Sequence, residues 1–422
     1  MAKEIVFVAG KNPLEELGGG HSSYVRAHAR AAIRAGFLPR LFCVGRTEGR
    51  IETDYGVIHQ TRSSRNLGPY STVEGVRSSS IPWHEPMIAS AIERFLRDRK
   101  EPQLIHGFGL WGSVGVTASR KLQQRGVEAI PIVNAYTSLE HEHRGKRLGV
   151  NREHGGGLRL SVKAEYLWVK HVIGRYERRA YFGSRAVLFN YESVRRILLD
   201  RFGPGMRFRK TPYSSEMAFT QKDGAERPES PRSIAALESR KAPLVVSVSR
   251  HDPRKGVEVL LLALARLKER GVEFRACLVG GGQLLEQNRR LAERLNLDGV
   301  VAIEGFAPDV SVYLRHADVF ALPSLEEGSG SVSLIEAMQA GLPVVASKID
   351  GIPEDVTDGD SALLVEPGNV AALSQAVERA ITDQALRQKL ARRAREVFVE
   401  KFSPEVLSDA LRDIYGELGF TP

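Results

Sequence analysis

"DVFALPSLEEGSGSVSLIEAMQAGLPVVAS", residues 318–347, contains the folding logic of this chain in miniature. An apolar strand-like run ("DVFALPS") leads into a loop of glycine and serine bracketed by acids. A helix begins near Val332, and a second apolar run ("PVVAS") follows. Two strands joined through a helix run parallel, because the crossover returns the chain in the same direction. Strands this uniformly apolar are covered on both faces, so helices are expected on both sides of the sheet. The loop adds chemistry. Ser329, Gly330 and Ser331 let backbone N–H groups approach a ligand, and the helix presents its positive end from Val332 onward. That combination suits phosphate oxygens. Glu336, further into the helix, is placed to accept hydrogen bonds from a vicinal diol such as that of ribose. Glu326 or Glu327 could hold the hydroxyls of a second sugar.

The same alternation extends outward. From residue 243, "PLVVSVS", "GVEVLLLALARLKERG", "EFRACLVGGG", "LLEQNRRLAERLNL" and "VVAIEGF" read as strand and helix in turn, and several helices close the chain. Ser403 before Pro404 marks the start of the last one. The first half has the same grammar: "EIVFVAG", "HSSYVRAHARAAIRAGF" ending at Gly36, "LPRLFCVG", the helix "MIASAIERFLRDRK", "PQLIHGFG", "GSVGVTASRKLQQRG", "EAIPIVNAY", "AVLFN" and "ESVRRILLDRFG". Between the halves, residues 221–242 are polar and proline-bearing, as a linker would be. Residues 138–164 carry no clear pattern and are expected to form a long, mobile loop region. At 422 residues the chain exceeds one ordinary core. The fold class is therefore α/β, with two doubly wound parallel-sheet domains in tandem. Ligands bind at the carboxyl ends of such sheets.

Composition excludes several classes. With 42% apolar and 26% charged residues, the chain is that of a globular protein. No apolar run reaches membrane-spanning length, and the N-terminus lacks the layout of a signal peptide. Cys43 and Cys277 lie in separate apolar runs, as buried thiols rather than a disulfide framework or metal site. A reducing cytoplasm is the expected compartment. The net charge of +9 is uneven. Residues 1–220 carry 35 Lys and Arg against 20 Asp and Glu, and residues 221–422 carry 25 against 31. The first half is thus suited to an anionic partner. No nucleic-acid-binding signature accompanies the charge.

Two further motifs point to phosphate. In "SRHDPRKGVEVLL", Arg250 ends an apolar strand and Lys255 precedes a helix starting near Gly256. A planar guanidinium and a point-charge ammonium at a helix start can clamp a diphosphate. "LGGG", Leu17 to Gly20, offers backbone N–H groups before the first helix, and Gly19 and Gly20 are its candidate contacts. Diphosphate binding next to hydroxyl-binding carboxylates is the chemistry of a nucleotide-sugar.

On "GGGHSSYVRAHARAAIRAGF", "VSVSRHDPRKGVEVLLLAL", "EGFAPDVSVYLRHADVFALPS", "EEGSGSVSLIEAMQAGLPVVAS" and "GIPEDVTDGDSALLVEPGN", the sequence resembles GT-B glycosyltransferases and is most similar to retaining family 4, GT4. The resemblance is strong over roughly 243–418 and weaker over 1–212. It implies two Rossmann-like domains facing across a cleft. Residues 1–220 would bind the acceptor and 243–402 the donor, with 221–242 between them and a final helix, about 403–422, crossing back. It also implies a UDP- or GDP-linked donor, no cofactor and no catalytic metal.

Carried over to this chain, Arg250 and Lys255 resemble the pair that neutralises the diphosphate. Glu336 matches the ribose-binding second Glu of an E-x7-E element, and Glu327 best matches the first, which contacts the donor sugar. Ser329, Gly330, Ser331 and Val332 would supply donors to sugar and phosphate, with Gly19 and Gly20 approaching from the other domain. Two departures stand out. Eight residues, not seven, separate Glu327 from Glu336. Where the family ends a strand with Thr-x-His, this chain has "VNAYTS", with Tyr136 at the histidine position. Either Tyr136 makes that contact, or His141 or His143 moves in, or the reaction is slower. His106 reads as a loop histidine without a role.

The expected function is transfer of a sugar from a nucleoside-diphosphate sugar to a saccharide, lipid-linked or small-molecule acceptor, anionic or associated with the cell envelope. The alternatives are an epimerase or nucleotide-sugar hydrolase, with water in place of the acceptor, and a non-catalytic sugar-nucleotide-binding protein. The segment Lys163 to Arg179 mixes cations with Trp, Tyr and Val. It is expected to pack on the core with a basic outer face, or else to touch anionic lipid as a peripheral contact.

Overall fold

Apolar runs such as Leu244–Val248 (LVVSV) form strands here because their branched side chains pack on both faces of a buried sheet. The computed structural model describes residues 3–14, 20–45, 47–62, 80–141, 160–214, 231–237 and 241–422. Its chain divides into two units. The first comprises the described residues up to 141, together with 160–214 and 404–422, and the second those from 231 to 403.

In the first unit the order is β1 (Glu4–Lys11), α1 (Gly20–Arg34), β2 (Leu38–Gly45), β3 (Gly49–Thr53), β4 (Gly56–Arg62), α2 (Ile81–Leu96), β5 (Gln103–Phe108), α3 (Gly112–Gln123) and β6 (Ala129–Ala135). After these come α4 (Leu160–Trp168), a π-helical stretch (Val169–Ile173), α5 (Gly174–Gly183), β7 (Ala186–Phe189), α6 (Glu192–Phe202) and β8 (Phe208–Lys210). The sheet runs β3-β4-β2-β1-β5-β6-β7-β8, and every pair is parallel except the β3–β4 hairpin. Val6 faces Arg40 on one side and Ile105 on the other, so β1 is central and the strand order reverses about it.

The second unit holds α7 (Arg232–Ala235), β9 (Leu244–Val248), α8 (Val257–Glu269), β10 (Arg275–Val279), α9 (Leu285–Arg294), β11 (Val301–Glu304), α10 (Ser311–His316), β12 (Val319–Leu322) and α11 (Val332–Gln339). It continues with β13 (Val344–Ser347), α12 (Ile352–Asp355), β14 (Leu363–Val365), α13 (Val370–Thr382) and α14 (Gln384–Phe402). Its sheet is fully parallel, in the order β11-β10-β9-β12-β13-β14. The core gathers Val245, Leu260, Leu264, Leu278, Val319, Val345 and Leu363 from strands and helices alike. The last helix, α15 (Pro404–Glu417), belongs to the first unit. Its Leu407, Leu411, Ile414 and Tyr415 join Tyr24, Val25 and Ala32 of α1 in one cluster.

Three expectations need correction. The helix expected from Met87 begins six residues earlier, at Ile81, and contains Pro86. Pro82 lies in the first turn, where a missing N–H costs nothing. The span expected as a linker is structured in part. Residues 231–237 include α7, with Ile234 and Leu237 buried, while 215–230 and 238–240 lie outside the described residues. Of the expected loop at 138–164, residues 142–159 also lie outside them, but from Leu160 the chain is helical.

Candidate active site

In the second sheet, β10 and β11 extend from β9 in one direction, and β12 to β14 in the other. The order reverses between β9 and β12, and a crevice opens beyond the carboxyl ends of strands at such a point. The loops that leave these two strands are "SRHDPRK" and "PSLEEGSGS", the two candidate phosphate motifs.

The two loops are knit together. The Arg254 carbonyl accepts hydrogen bonds from Leu325 N (2.6 Å) and Glu326 N (3.0 Å). Lys255 Nζ lies 2.5 Å from Glu327 Oε2, and Ser324 Oγ donates to Glu327 Oε1 at 2.5 Å. The Lys255 side chain is 15% exposed and that of Glu327 4%, so this ion pair is nearly dry. The approach depends on Gly256. Its φ is +61°, and a Cβ there would lie 2.1 Å from the Pro323 carbonyl oxygen. Arg250, 60% exposed, leans on Asp252 at 3.4 Å. Asp252 also accepts from Arg254 N and so caps the turn before Lys255. Neighbouring His251 is buried and contacts Asn288 through Nδ1 at 3.0 Å. Burial, reinforced by the charge of Arg289, pushes its pKa down to about 4. It is therefore a neutral structural group at physiological pH.

The start of α11 has no side-chain cap. Ser331 is the N-cap of α11, but its hydroxyl pairs with Ser333 Oγ at 3.1 Å instead of capping the backbone. The N–H groups of a helix's first turn have no intrahelical partner, and they carry the positive end of the helix dipole. Glu336, just over a turn along, is partly buried. Burial, and then the charge of Asp309, pushes its pKa up to about 7. A carboxylate held this uncomfortably gains from any ligand that donates hydrogen bonds to it.

Among the candidates, then, Arg250, Lys255, Glu327, Ser329, Gly330, Ser331, Val332 and Glu336 all lie on the two loops or the helix that follows them. Tyr136 and Gly20 belong to the first unit, and Gly19 and His143 lie outside the described residues. Gly20 is the first residue of α1. Tyr136, just past the end of β6, stands edge-on to Tyr24 at 4.7 Å. Burial, followed by the neighbouring Tyr24, raises its pKa well above the ordinary phenol value, so it can act only as a neutral hydrogen-bonding group.

His106 is not a loop histidine. It lies inside β5, fully buried, and Nδ1 accepts from Tyr415 Oη at 2.8 Å while Nε2 pairs with Asn134 Oδ1. Asn134 Nδ2 donates to Tyr24 Oη (2.7 Å), which donates to Asn190 Oδ1 (3.0 Å). Asn190 Nδ2 reaches the carbonyls of Thr211 and Pro212, each at 3.0 Å. Burial lowers the His106 pKa to about 4, so the ring stays neutral, as this one-way chain of donors requires. Sequence reasoning also missed Ser324, Asp252 and Asp350. Only for Asp252 was there a local signal, the turn-forming Asp-Pro pair.

Comparison with known proteins bears on this site. Residues 230–397 match the family model described as Glycosyl transferases group 1, so the second unit carries a domain of that kind. Among curated proteins, the lipopolysaccharide core biosynthesis glycosyltransferase LpsE of Rhizobium meliloti (strain 1021) is 35% identical over 169 residues. These make up 40% of this chain and 48% of that protein. The chain spans about half the length of the curated relatives it matches. Among solved structures, sucrose-phosphate synthase from Thermosynechococcus elongatus is similar with a TM-score of 0.71 and 22% identity, over 99% of both chains. HepE of Anabaena, solved in complex with UDP and glucose, is similar with a TM-score of 0.66 and 17% identity, over 98% of this chain and 99% of that one. At such identities the likeness speaks for the fold, which is GT-B.

Proposed function

We propose that this protein is a retaining glycosyltransferase that moves a sugar from a nucleoside-diphosphate sugar, UDP- or GDP-linked, to an acceptor hydroxyl. The observation that carries the proposal is the joining of the β9 and β12 loops at the reversal point of the second sheet. There Lys255, Arg250 and the start of α11 supply positive charge, and Glu336 supplies a diol acceptor. As the donor's anomeric bond breaks, negative charge collects on the diphosphate. Fixed cations and N–H groups lower that barrier without reorganising. Arg250 and Lys255 bear this role, Ser329, Gly330 and Ser331 offer backbone donors, and Glu336 holds the ribose. Glu327 contacts the sugar or holds Lys255 in place. The resemblance also assigns donor contacts to Tyr136, Gly19 and Gly20. The departing diphosphate takes the proton of the acceptor hydroxyl, which attacks on the same face, so no separate protein base is required. The UDP and glucose bound by HepE and the biosynthetic role named for LpsE agree with a nucleotide-sugar donor and a saccharide acceptor.

The acceptor is an anionic or envelope-associated glycan or lipid-linked sugar, met by the basic first half of the chain. We place the protein in the cytoplasm with a peripheral contact on anionic membrane. Among the described residues no helix is long and apolar enough to cross a membrane. Around α4 and α5, Val169, Ile173, Ala180 and Tyr181 face the core, while Lys163, His171, Arg175 and Arg178 are exposed beside Leu167, itself 53% exposed. Co-sedimentation with vesicles containing anionic lipid tests this. Pelleting at low salt that weakens at moderate salt is expected, and no pelleting at low salt removes membrane contact from the account.

The transfer itself is tested by incubating the protein with UDP- and GDP-sugars and candidate saccharide acceptors. Nucleoside diphosphate release that depends on acceptor is expected, with the product's anomeric proton reporting the donor's configuration. Release that proceeds equally without acceptor would indicate hydrolysis, and an inverted product would remove the retaining mechanism.

A further inference from the structure

The loop between β12 and α11 is held from a second side, by the residue Asp350 that follows β13. Asp350 Oδ2 accepts hydrogen bonds from two consecutive backbone groups, Glu327 N and Gly328 N, each at 2.7 Å. Next to it, Gly351 N donates to the carbonyl of Ser329 at 3.1 Å. Asp350 has a left-handed backbone, φ +49°, a conformation that glycine adopts without strain and that Asp and Asn adopt at a smaller cost than other residues. Strain kept where a glycine would have none points to the carboxylate as its reason. Two successive N–H groups converging on one oxygen form a concave anion site. Here that site is filled by the protein's own carboxylate.

We infer that Asp350 is a positioning residue for the donor site: its carboxylate fixes the Glu327–Gly328 turn, which aims the Glu327 side chain at Lys255 and leaves the ligand to the N–H groups further along the loop. The geometry follows from the bonds. Arg254 O holds Leu325 and Glu326, Asp350 holds Glu327 and Gly328, and Gly351 holds Ser329, so five successive residues have their main chain fixed from two neighbouring loops. With the backbone at Glu327 pinned, its two carboxylate oxygens are directed to Ser324 and Lys255. This role rests on the sugar-transfer function proposed above.

Two variants separate positioning from stability. Asp350→Gly removes the carboxylate and also relieves the left-handed strain, so its unfolding midpoint should not fall. Asp350→Asn keeps an acceptor oxygen on a residue type that tolerates this backbone. Hydrogen exchange of the 325–331 segment is measured in the ligand-free protein, and binding of UDP and GDP by calorimetry. In Asp350→Gly, exchange at Glu327 and Gly328 should quicken by about tenfold or more, and affinity for the diphosphate that binds the parent should fall about tenfold. Asp350→Asn should recover most of both. Unchanged exchange and affinity in Asp350→Gly would overturn the inference, as would a loss that merely tracks a lowered unfolding midpoint. If the parent binds neither nucleotide, the functional proposal fails and the positioning role with it. Exchange in that case still reports whether the turn is clamped.

Discussion

Glu336 carries the sharpest consequence at the scale of a single residue. Its folded pKa of about 7 lies above the ordinary carboxylate value, because burial and Asp309 penalise the ionised form. The group therefore favours the fold fully only below the unfolded value, near 4.3, and that contribution is lost as pH rises towards 7. Glu336→Gln should match the parent in urea unfolding near pH 4 and exceed it above pH 7, by at most about 4 kcal/mol. The same variant should lose nucleoside diphosphate affinity by roughly tenfold or more at pH 8, because charge-assisted hydrogen bonds are the stronger kind. A variant that gains no stability at high pH would show that the carboxylate is not strained. Lys255 and Glu327 obey a different rule. Removing either partner strands a charge that is nearly dry, so Lys255→Ala and Glu327→Ala should each cost about 3 kcal/mol, and the double variant less than the sum. A double-mutant cycle by denaturant unfolding measures this. Arg250 and Lys255 were legible in the sequence because they stand at a strand end and before a helix with the right charge, and Glu336 because it lies just over a turn into the helix after the glycine–serine loop. Ser324 and Asp350 were not. Asp350 meets its partners only because the sheet brings two loops together, and Ser324, though it pairs with Glu327 three residues on, carries no charge to mark it.

Among the elements, α15 shows how the chain's end serves its beginning. Leu411 is fully buried with α1, and Tyr415 donates the hydrogen bond that starts the His106–Asn134–Tyr24–Asn190 chain. Leu411→Ala should cost about 2–5 kcal/mol through the cavity it leaves. Tyr415→Phe should cost about 1–3 kcal/mol by leaving the His106 nitrogen without its donor. Both are read from denaturant unfolding, and a neutral Tyr415→Phe would mean that the chain of hydrogen bonds is not under load. Most strands and helices were legible because their periodicity is strong; β2 lies within the run that alternation marks out. Elsewhere local rules failed for physical reasons. Two prolines hid the first turn and a half of α2, although one of them sits where a helix tolerates it. The β3–β4 hairpin is short and polar on its exposed side, so it has no apolar run to read. A polar stretch with prolines concealed α7, which is anchored by buried Ile234 and, just beyond its end, Leu237.

For the molecule as a whole, two alternating strand–helix series were enough to specify two parallel sheets, because a parallel pair requires a covered crossover. The GT-B fold, which the family resemblance implied, is matched over nearly the whole chain by solved structures. Substrate identity leaves far less trace, since the backbone N–H groups proposed to bind it belong to every residue type except proline. The charge asymmetry between the halves is a global property, and its salt dependence in vesicle binding is its test. The central claim is that the loops after β9 and β12 bind a nucleoside diphosphate. Thermal unfolding with UDP, GDP and ADP, their common sugar conjugates and NAD as control tests it most directly. A ligand at about 100 times its Kd stabilises the fold by about 2.7 kcal/mol, worth roughly 5–11 °C in a domain of this size. We expect one of UDP or GDP to raise the midpoint, NAD to leave it unchanged, and Arg250→Ala and Lys255→Ala to abolish the rise. No shift with any nucleotide at millimolar concentration, or a shift that both variants retain, would contradict the account.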